Sequence, residues 1–295
     1  MTESLQKNQE LLNSEARDLS NLKREIKSSR KHENHEEKRQ ESPYKNMIEN
    51  QEKPIMYWNR NNPEISITFD DGYWSENITN ILDTLRWSWI KATFFILWDC
   101  LRKNPTLRKQ AVEDWHQICC HTFSHIYLSN SSETTNLTLW LNKNIKINEW
   151  INNVKSLLWD EYYEKLKYES WEWFPQRIKS DLLLRTEILT REEEVKRTLW
   201  EDYLKDMKQN HPFFRFPGGN GCMRKENIAV LKELWYLSIY WSDDKPASSS
   251  NKPISNWSIP LFHFNTRDRQ NIKTYIENMK KQNKTPRPLS DIIKP

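Results

Sequence analysis

The sequence predicts an α/β fold carried on a mostly parallel sheet or barrel. Two observations predict it. From Ile65 onward, short apolar runs bounded by turn residues alternate with amphipathic helical stretches, the order that repeated β-α-β units require. Residues able to bind metals or move protons recur beside the C-terminal ends of those runs. At 295 residues the chain has room for one large domain with an appendage.

Residues 1–53 read as a charged tail. Leu11, Leu12, Leu19 and Leu22 give it a short helical stripe before the run SSRKHENHEEKRQE, and the segment is too polar to bury a core. His32 and His35 lie in that run among opposite charges, as expected of a solvated segment. Residues 54–295 form the main domain. Its first strand is ISITF, followed by the helix SENITNILDTLR and the strand KATFFIL. Then come the helix PTLRKQAVED and the strand HQICC. A polar stretch rich in Asn, Lys and Glu, residues 130–187, interrupts the alternation and reads as a helical insertion. It either covers one side of a groove or is a solvated excursion. Beyond it the predicted elements are the helix EEEVKRTLWEDYLKDMK, the strand HPFFRF, the helix RKENIAVLKEL, the strands YLSIYW and IPLFHF, and the closing helix RQNIKTYIENMKK.

Composition narrows the function classes. Lys and Arg number 45 against 41 Asp and Glu, a net charge of +4 in mixed order, so no one-sign field marks a nucleic-acid or anionic-membrane surface. Cys100, Cys119, Cys120 and Cys222 show no framework spacing, and adjacent cysteines bridge with difficulty. All four are expected as buried free thiols. No window reaches the roughly 18–20 apolar residues of a membrane span, and no apolar core follows the N-terminal charges as in a signal peptide. The expected compartment is the cytoplasm, or an extracytoplasmic one if the start is truncated.

The tryptophan and glycine counts are abnormal. The chain holds 15 Trp and 4 Gly, whereas usual glycine usage of ~7% would give about 20. Several tryptophans stop a helical pattern just before a strand: LDTLRWSW before IKATFFIL, AVEDW before HQICC, LKELW before YLSIYW. Helix ends of that kind call for glycine in a left-handed conformation. The expectation is that UGA codons for glycine stand written as tryptophan at Trp89, Trp115 and Trp235. A Trp-rich surface that stacks on sugar rings is the alternative, and Trp241, inside an apparent strand, fits a genuine tryptophan.

Four local patterns carry chemistry. In TFDDG, Asp70 and Asp71 sit where a strand frays into a glycine turn, so two carboxylates can reach one site while aiming differently. Asp-Asp-Gly is also an ordinary turn. In HTFSH, His121 and His125 are four apart, a spacing that puts both imidazoles on one face of a helical turn and suits two ligands of one ion. Locally bonded histidines share that spacing. A carboxylate would complete a set with positions left open for water and substrate. In FRFPGG, Arg215 follows apolar residues and needs a carboxylate partner, at the site or elsewhere. His263 ends the apolar run IPLFHF, where a histidine can be catalytic or merely packed.

The order TFDDG, HTFSH, FRFPGG, WSDD, LFH resembles the five motifs of polysaccharide deacetylases, the NodB-homology group in carbohydrate esterase family 4. The resemblance covers residues 55–293, broken by the insertion. It implies a distorted (β/α) barrel with its site at the C-terminal ends of the strands. It implies an enzyme that removes N-acetyl groups from N-acetylglucosamine polymers such as peptidoglycan or chitin, using a divalent metal with Zn2+ as first choice. By motif position, Asp70 would be the general base. Asp71, His121 and His125 would hold the metal, Arg215 would partner Asp70, and His263 would be the general acid with Asp244 orienting it. Leu261 would line the pocket for the acetyl methyl, and the backbone N–H near Gly218 would face the carbonyl oxygen. The chain departs from the pattern at Gly218, where an aromatic is frequent, at Cys120 in place of Asn, and after Asp244, where a second Trp is absent. A related amidase for a small non-sugar amide, or a silent sugar-binding protein of the same fold, are the competing expectations. Neither nucleic acid nor an integral membrane segment is expected, and the oligomeric state is open.

Overall fold

The apolar runs pair, in register, into one parallel sheet. A computed structural model describes residues 42–56, 62–72, 75–130, 134–136, 147–158, 160–170, 177–243 and 253–294. Among these, the helices are α1 (Lys45–Asn50), α2 (Ser75–Trp87), α3 (Trp98–Lys103), α4 (Pro105–Glu113), α5 (Ile147–Leu157), α6 (Asp160–Ser170), α7 (Ser180–Thr198), α8 (Glu201–Asn210), α9 (Lys225–Glu233), α10 (Thr266–Lys281) and α11 (Leu289–Ile292). The strands are β1 (Glu64–Ile65), β2 (Thr68–Asp71), β3 (Thr93–Ile96), β4 (Gln117–Cys120), β5 (Thr134–Asn136), β6 (Arg177–Lys179), β7 (Phe213–Phe214), β8 (Leu237–Ser238), β9 (Leu261–His263) and β10 (Thr285–Pro286).

Six of these form the sheet in the order β8-β7-β4-β3-β2-β9, every pairing parallel. Central strands are buried on both faces, so β2 and β3 are buried throughout and read as unbroken rather than alternating runs. An isolated parallel bridge, Asp243 with Pro260, joins the segment after β8 to the start of β9. The segments beside the two edge strands therefore touch at one point, and among the described residues no ladder closes the sheet into a barrel. Two short pairs complete the strands, β1 with β10 in parallel and β5 with β6 antiparallel.

Packing on the sheet is aromatic at its centre. Phe69 contacts Phe94, Phe262 and Phe264 with ring centroids 5.3–5.4 Å apart, and burying each such ring contributes about 1.5–3 kcal/mol. The charged tail of the sequence ends earlier than its composition indicates. Tyr44 and Ile48 are buried, with the Tyr44 ring edge-on to Phe213 at 5.4 Å, and Gln51 bonds the backbone of Tyr236 and Ser238. Tyr44, Met47 and Ile48 mark the apolar face of a single helical turn, too short a stripe among charges to set this docking apart in the sequence. The rest of the tail, with His32 and His35, lies outside the described residues.

Two sequence expectations need correction. EEEVKRTLWEDYLKDMK is two helices, α7 and α8, because Trp200 between them adopts φ 90, ψ 158; the apolar periodicity runs on across the break and conceals it. HTFSH is not helical but an irregular loop, with Thr122 at φ 70 and His125 at φ 59. The insertion holds the helices α5 and α6, as expected, with β5 and β6 flanking them. All four cysteines are buried and none is in a disulfide.

Helices α2, α4, α9 and α10 end in one motif. A residue just past the helix donates to the carbonyl three positions back and the next residue to the carbonyl five back, as Trp89 to Arg86 and Ile90 to Leu85. The pairs repeat at Trp115 and His116, at Trp235 and Tyr236, and at Asn283 and Lys284. This is a Schellman end, whose pivot residue is left-handed. The pivots have φ 59, 58, 63 and 53 at Trp89, Trp115, Trp235 and Asn283. Asparagine is an accepted substitute for glycine there; tryptophan is not.

Candidate metal and catalytic site

Strand register gathers the site. Asp70 of β2 pairs with His263 of β9, Asp71 with Ile96 of β3, Ile96 with Cys120 of β4, and Cys120 with Phe214 of β7. The residues at or just past these aligned ends are Asp70, Asp71, His121, Arg215 and His263. A cavity of about 300 Å³ opens among them, lined by Asp70, Asp71, His121, His125, Tyr127, Gly218, Trp241, Leu261 and His263.

The two neighbouring aspartates diverge as the strand frays. Asp71 turns to φ 76, and Gly72 follows at φ 102 where an added Cβ would come within 3.1 Å of Cys100. Asp70 faces Arg215, whose Nη1 donates to its Oδ1 at 2.7 Å and to Thr68 Oγ1 at 2.8 Å. Both members of this pair are buried, and the guanidinium also lies 4.0 Å from the Phe95 ring centroid. Burial pulls the Arg215 pKa down against the charge of Asp70. A buried ion pair of this kind persists because separating it strands a charge.

Asp71 faces the histidines instead. Its Oδ1 lies 3.0 Å from His125 Nε2 and 3.4 Å from His121 Nε2, yet it makes no aligned hydrogen bond and is enclosed from solvent. Burial alone would raise this carboxyl; the two imidazoles outweigh it and hold it well below the usual carboxylate range. His121 Nδ1 is 2.8 Å from the Arg215 carbonyl. A carbonyl only accepts, so Nδ1 carries a proton and Nε2 is the nitrogen turned toward Asp71, the outer bond that orients metal-binding histidines. Three ligand atoms from Asp71, His121 and His125 lie within 4.8 Å of one another. An orphaned carboxylate oxygen facing imidazole nitrogens in a buried cluster fits a divalent cation.

Across the cavity, His263 is held by Asp268 in the first turn of α10. Asp268 Oδ2 accepts the His263 backbone N–H at 2.7 Å and lies 3.6 Å from its Nδ1. Burial lowers the His263 pKa, but Asp268, Asp70 and Asp71 outweigh it and raise it above its ordinary value. The helix itself fixes Asp268: Asn265 caps α10 by accepting the Asp268 N–H at 2.8 Å. Asp244, the expected orienting residue, lies outside the described residues. Gly218 bends the PGG turn at φ 57, where an added Cβ would collide with Tyr127 at 2.5 Å, so an aromatic at this position has no room.

Of the expected residues, Asp70, Asp71, His121, His125, Gly218, Leu261 and His263 line one cavity, and Arg215 stands behind Asp70. Sequence reasoning missed Asp268, Tyr127 and Glu187. The first had a signal, the Asn265-x-x-Asp268 cap pattern just after the last motif; the others had none.

Residues 59–159 match the polysaccharide deacetylase family model. A peptidoglycan-N-acetylglucosamine deacetylase of Bacillus cereus is 44% identical over 69 residues, 23% of this chain and 32% of that protein. The chain thus spans about a third of that relative's length. A family 4 carbohydrate esterase from Bacillus anthracis superimposes with TM-score 0.53 at 18% identity, over 85% of this chain and 91% of the other. A pseudoenzyme of the same family from Bacillus anthracis gives TM-score 0.55 at 16% identity, over 82% and 69%. At these identities the structural likenesses establish the fold alone. The likeness of the chain to polysaccharide deacetylases thus rests on residues 59–159 in sequence and on the fold around them.

Proposed function

We propose that the protein is a metal-dependent hydrolase that removes N-acetyl groups from an N-acetylglucosamine polymer, with peptidoglycan as the first candidate. The observation that carries this reading is the separation of the two aspartates: Asp71 faces His121 and His125, while Asp70 is paired with Arg215 and set opposite His263. A silent sugar-binding site needs neither arrangement. The similarity of residues 59–159 to polysaccharide deacetylases supports the substrate class.

Asp71, His121 and His125 would hold the cation, with zinc preferred for an imidazole-carboxylate set. When bound, a divalent cation polarises the amide carbonyl and makes water a better nucleophile at neutral pH. The protein's own groups do the rest. Asp70, paired with Arg215, takes a proton from the attacking water as the new C–O bond forms. The backbone N–H near Gly218 faces the oxygen that gains charge. His263 delivers its proton to the amide nitrogen as the C–N bond breaks, releasing acetate and a glucosamine unit. Leu261 packs beside the acetyl methyl, and Trp241 presents a ring at the mouth on which a sugar can stack.

Acetate release from N-acetylglucosamine oligomers and from peptidoglycan, with chelator and then with added zinc, tests the reading. Release that stops with chelator and returns with zinc is the expected result; none from the folded, zinc-supplied protein would sink it. Asp70→Asn should lower turnover by roughly 10²- to 10⁴-fold, as for other positioned acid-base groups, while zinc still binds. His125→Ala should lose zinc as well.

A further inference from the structure

Glu187 of α7 is fully buried and its carboxylate accepts four hydrogen bonds. Oε2 takes the backbone N–H groups of Phe123 at 3.0 Å and Ser124 at 2.8 Å; Oε1 takes the Ser124 hydroxyl and the Trp150 indole N–H, both at 2.7 Å. Phe123 and Ser124 lie between His121 and His125. The loop around them is irregular and turns through left-handed backbone at Thr122 and His125. Side chains with a Cβ hold such conformations only where their surroundings over-determine them. The stretch is also held by the Thr122 hydroxyl, which accepts from His125 N–H at 3.2 Å, by the Trp98 N–H on the Thr122 carbonyl at 3.4 Å and by His121 Nδ1 on the Arg215 carbonyl at 2.8 Å; Glu187 is the side chain that takes both N–H groups between the histidines.

We propose that Glu187 is a positioning residue for the metal-binding histidines. By clamping two successive N–H groups between them, it sets the separation and direction of the two imidazoles. Trp150, from the insertion, closes the remaining side of the carboxylate, so the insertion is tied to the site. The inference rests on the metal reading of Asp71, His121 and His125. Groups one bond removed from a metal's ligands typically change its affinity about 10- to 100-fold when lost.

The test uses the full chain stripped of metal, titrated with zinc alone by calorimetry, and amide hydrogen exchange of the metal-free protein. Glu187→Gln keeps the size but turns one acceptor into an N–H2 that faces an N–H in either orientation, that of Trp150 at one position and those of Phe123 and Ser124 at the other. Zinc affinity should fall about 10- to 100-fold, and exchange at Phe123 and Ser124 should quicken while the circular dichroism is unchanged. Ser124→Ala, which removes one of the four bonds, should show the same effects in smaller measure and serves if Glu187→Gln does not fold. Unchanged affinity and exchange in a folded Glu187→Gln protein overturn the proposal. If the wild-type protein takes no zinc, the metal reading fails and exchange still decides the clamp: protection at Phe123 and Ser124 that Glu187→Gln removes sustains it, and absence of protection in the wild type ends it.

Five tryptophans occupy backbone that glycine holds freely: Trp89, Trp115, Trp235 and Trp257 at φ 55–63, and Trp200 at φ 90, ψ 158. The Trp200 pair of angles is essentially confined to glycine. Trp89 and Trp115 hold indoles 90% and 81% exposed, gaining no burial, and Trp257 buries an indole N–H with no hydrogen-bond partner. We infer that these five positions are glycine in the natural protein, encoded by UGA in a genome that reads that codon as glycine. Trp150, inside α5 and bonded to Glu187, lies outside the claim. Peptide mass spectrometry of the protein from its source cells should find glycine at all five; tryptophan at Trp89, Trp115 or Trp200 would overturn the inference.

Discussion

At Trp89 and Trp115 the strain can be read directly as stability. A residue with a Cβ loses about 1–2 kcal/mol in left-handed backbone, and neither indole is buried enough to offset it. Trp89→Gly with Trp115→Gly should therefore stabilise the protein by roughly 2–4 kcal/mol in urea titration. A double variant no more stable than its parent would show that these ends carry no strain. Arg215 makes the opposite case. Replacing it by Met leaves buried Asp70 uncompensated, and breaking a buried pair from one side costs about 3–5 kcal/mol. An Arg215→Met protein that keeps its midpoint would contradict the burial of the pair.

Among the elements, α10 sets the acid. Its first turn brings Asp268 against His263 and its cap, Asn265, holds Asp268 in place. Because the His263 pKa is raised in part by that carboxylate, Asp268→Asn should move the alkaline fall in kcat to lower pH, since the proton donor is then lost sooner. A pH profile that does not move would separate Asp268 from the chemistry. The motif residues were legible because each stands beside a strand end, and strand ends are marked by apolar runs meeting turn residues. The loop form of HTFSH was not legible: spacing of four fits a helix as well as a loop pinned from outside, and its pin, Glu187, lies 63 residues from Ser124. Within RTEILTREEE, nothing distinguishes the glutamate that clamps the loop from Glu192 and Glu194, which are buried as well. The α7–α8 break was hidden because the apolar periodicity runs on across Trp200, whose own letter gives no sign of a turn.

For the molecule as a whole, two buried histidines set the response to acid. His116, which accepts the Ala92 N–H on Nδ1 at 3.1 Å, and His211 each have a pKa lowered from 6.5 to about 4 by burial. The unfolded chain binds their protons more tightly than the folded one. The stability they give is thus whole above pH 6.5 and falls as pH drops, until it is gone below about 4. A tenfold difference in proton affinity is worth about 1.4 kcal/mol, so each ring contributes about 3 kcal/mol over that window. The thermal midpoint of metal-free protein should fall steeply between pH 6.5 and 4, and less steeply in His116→Gln; a flat profile would mean that these rings are hydrated. The parallel sheet was legible as an alternation of strands and helices; its strand order and the Asp243–Pro260 bridge were not, since neither follows from a repeating pattern.

The Asp70–Arg215 contact joins residues 145 apart in the chain, and the Glu187 clamp cannot form until α7 has docked. Contacts so distant must await the closing of long loops, which slows folding. Recovery of zinc binding after dilution from denaturant should accordingly lag behind helix formation, so the site serves as a timer for the last step of assembly.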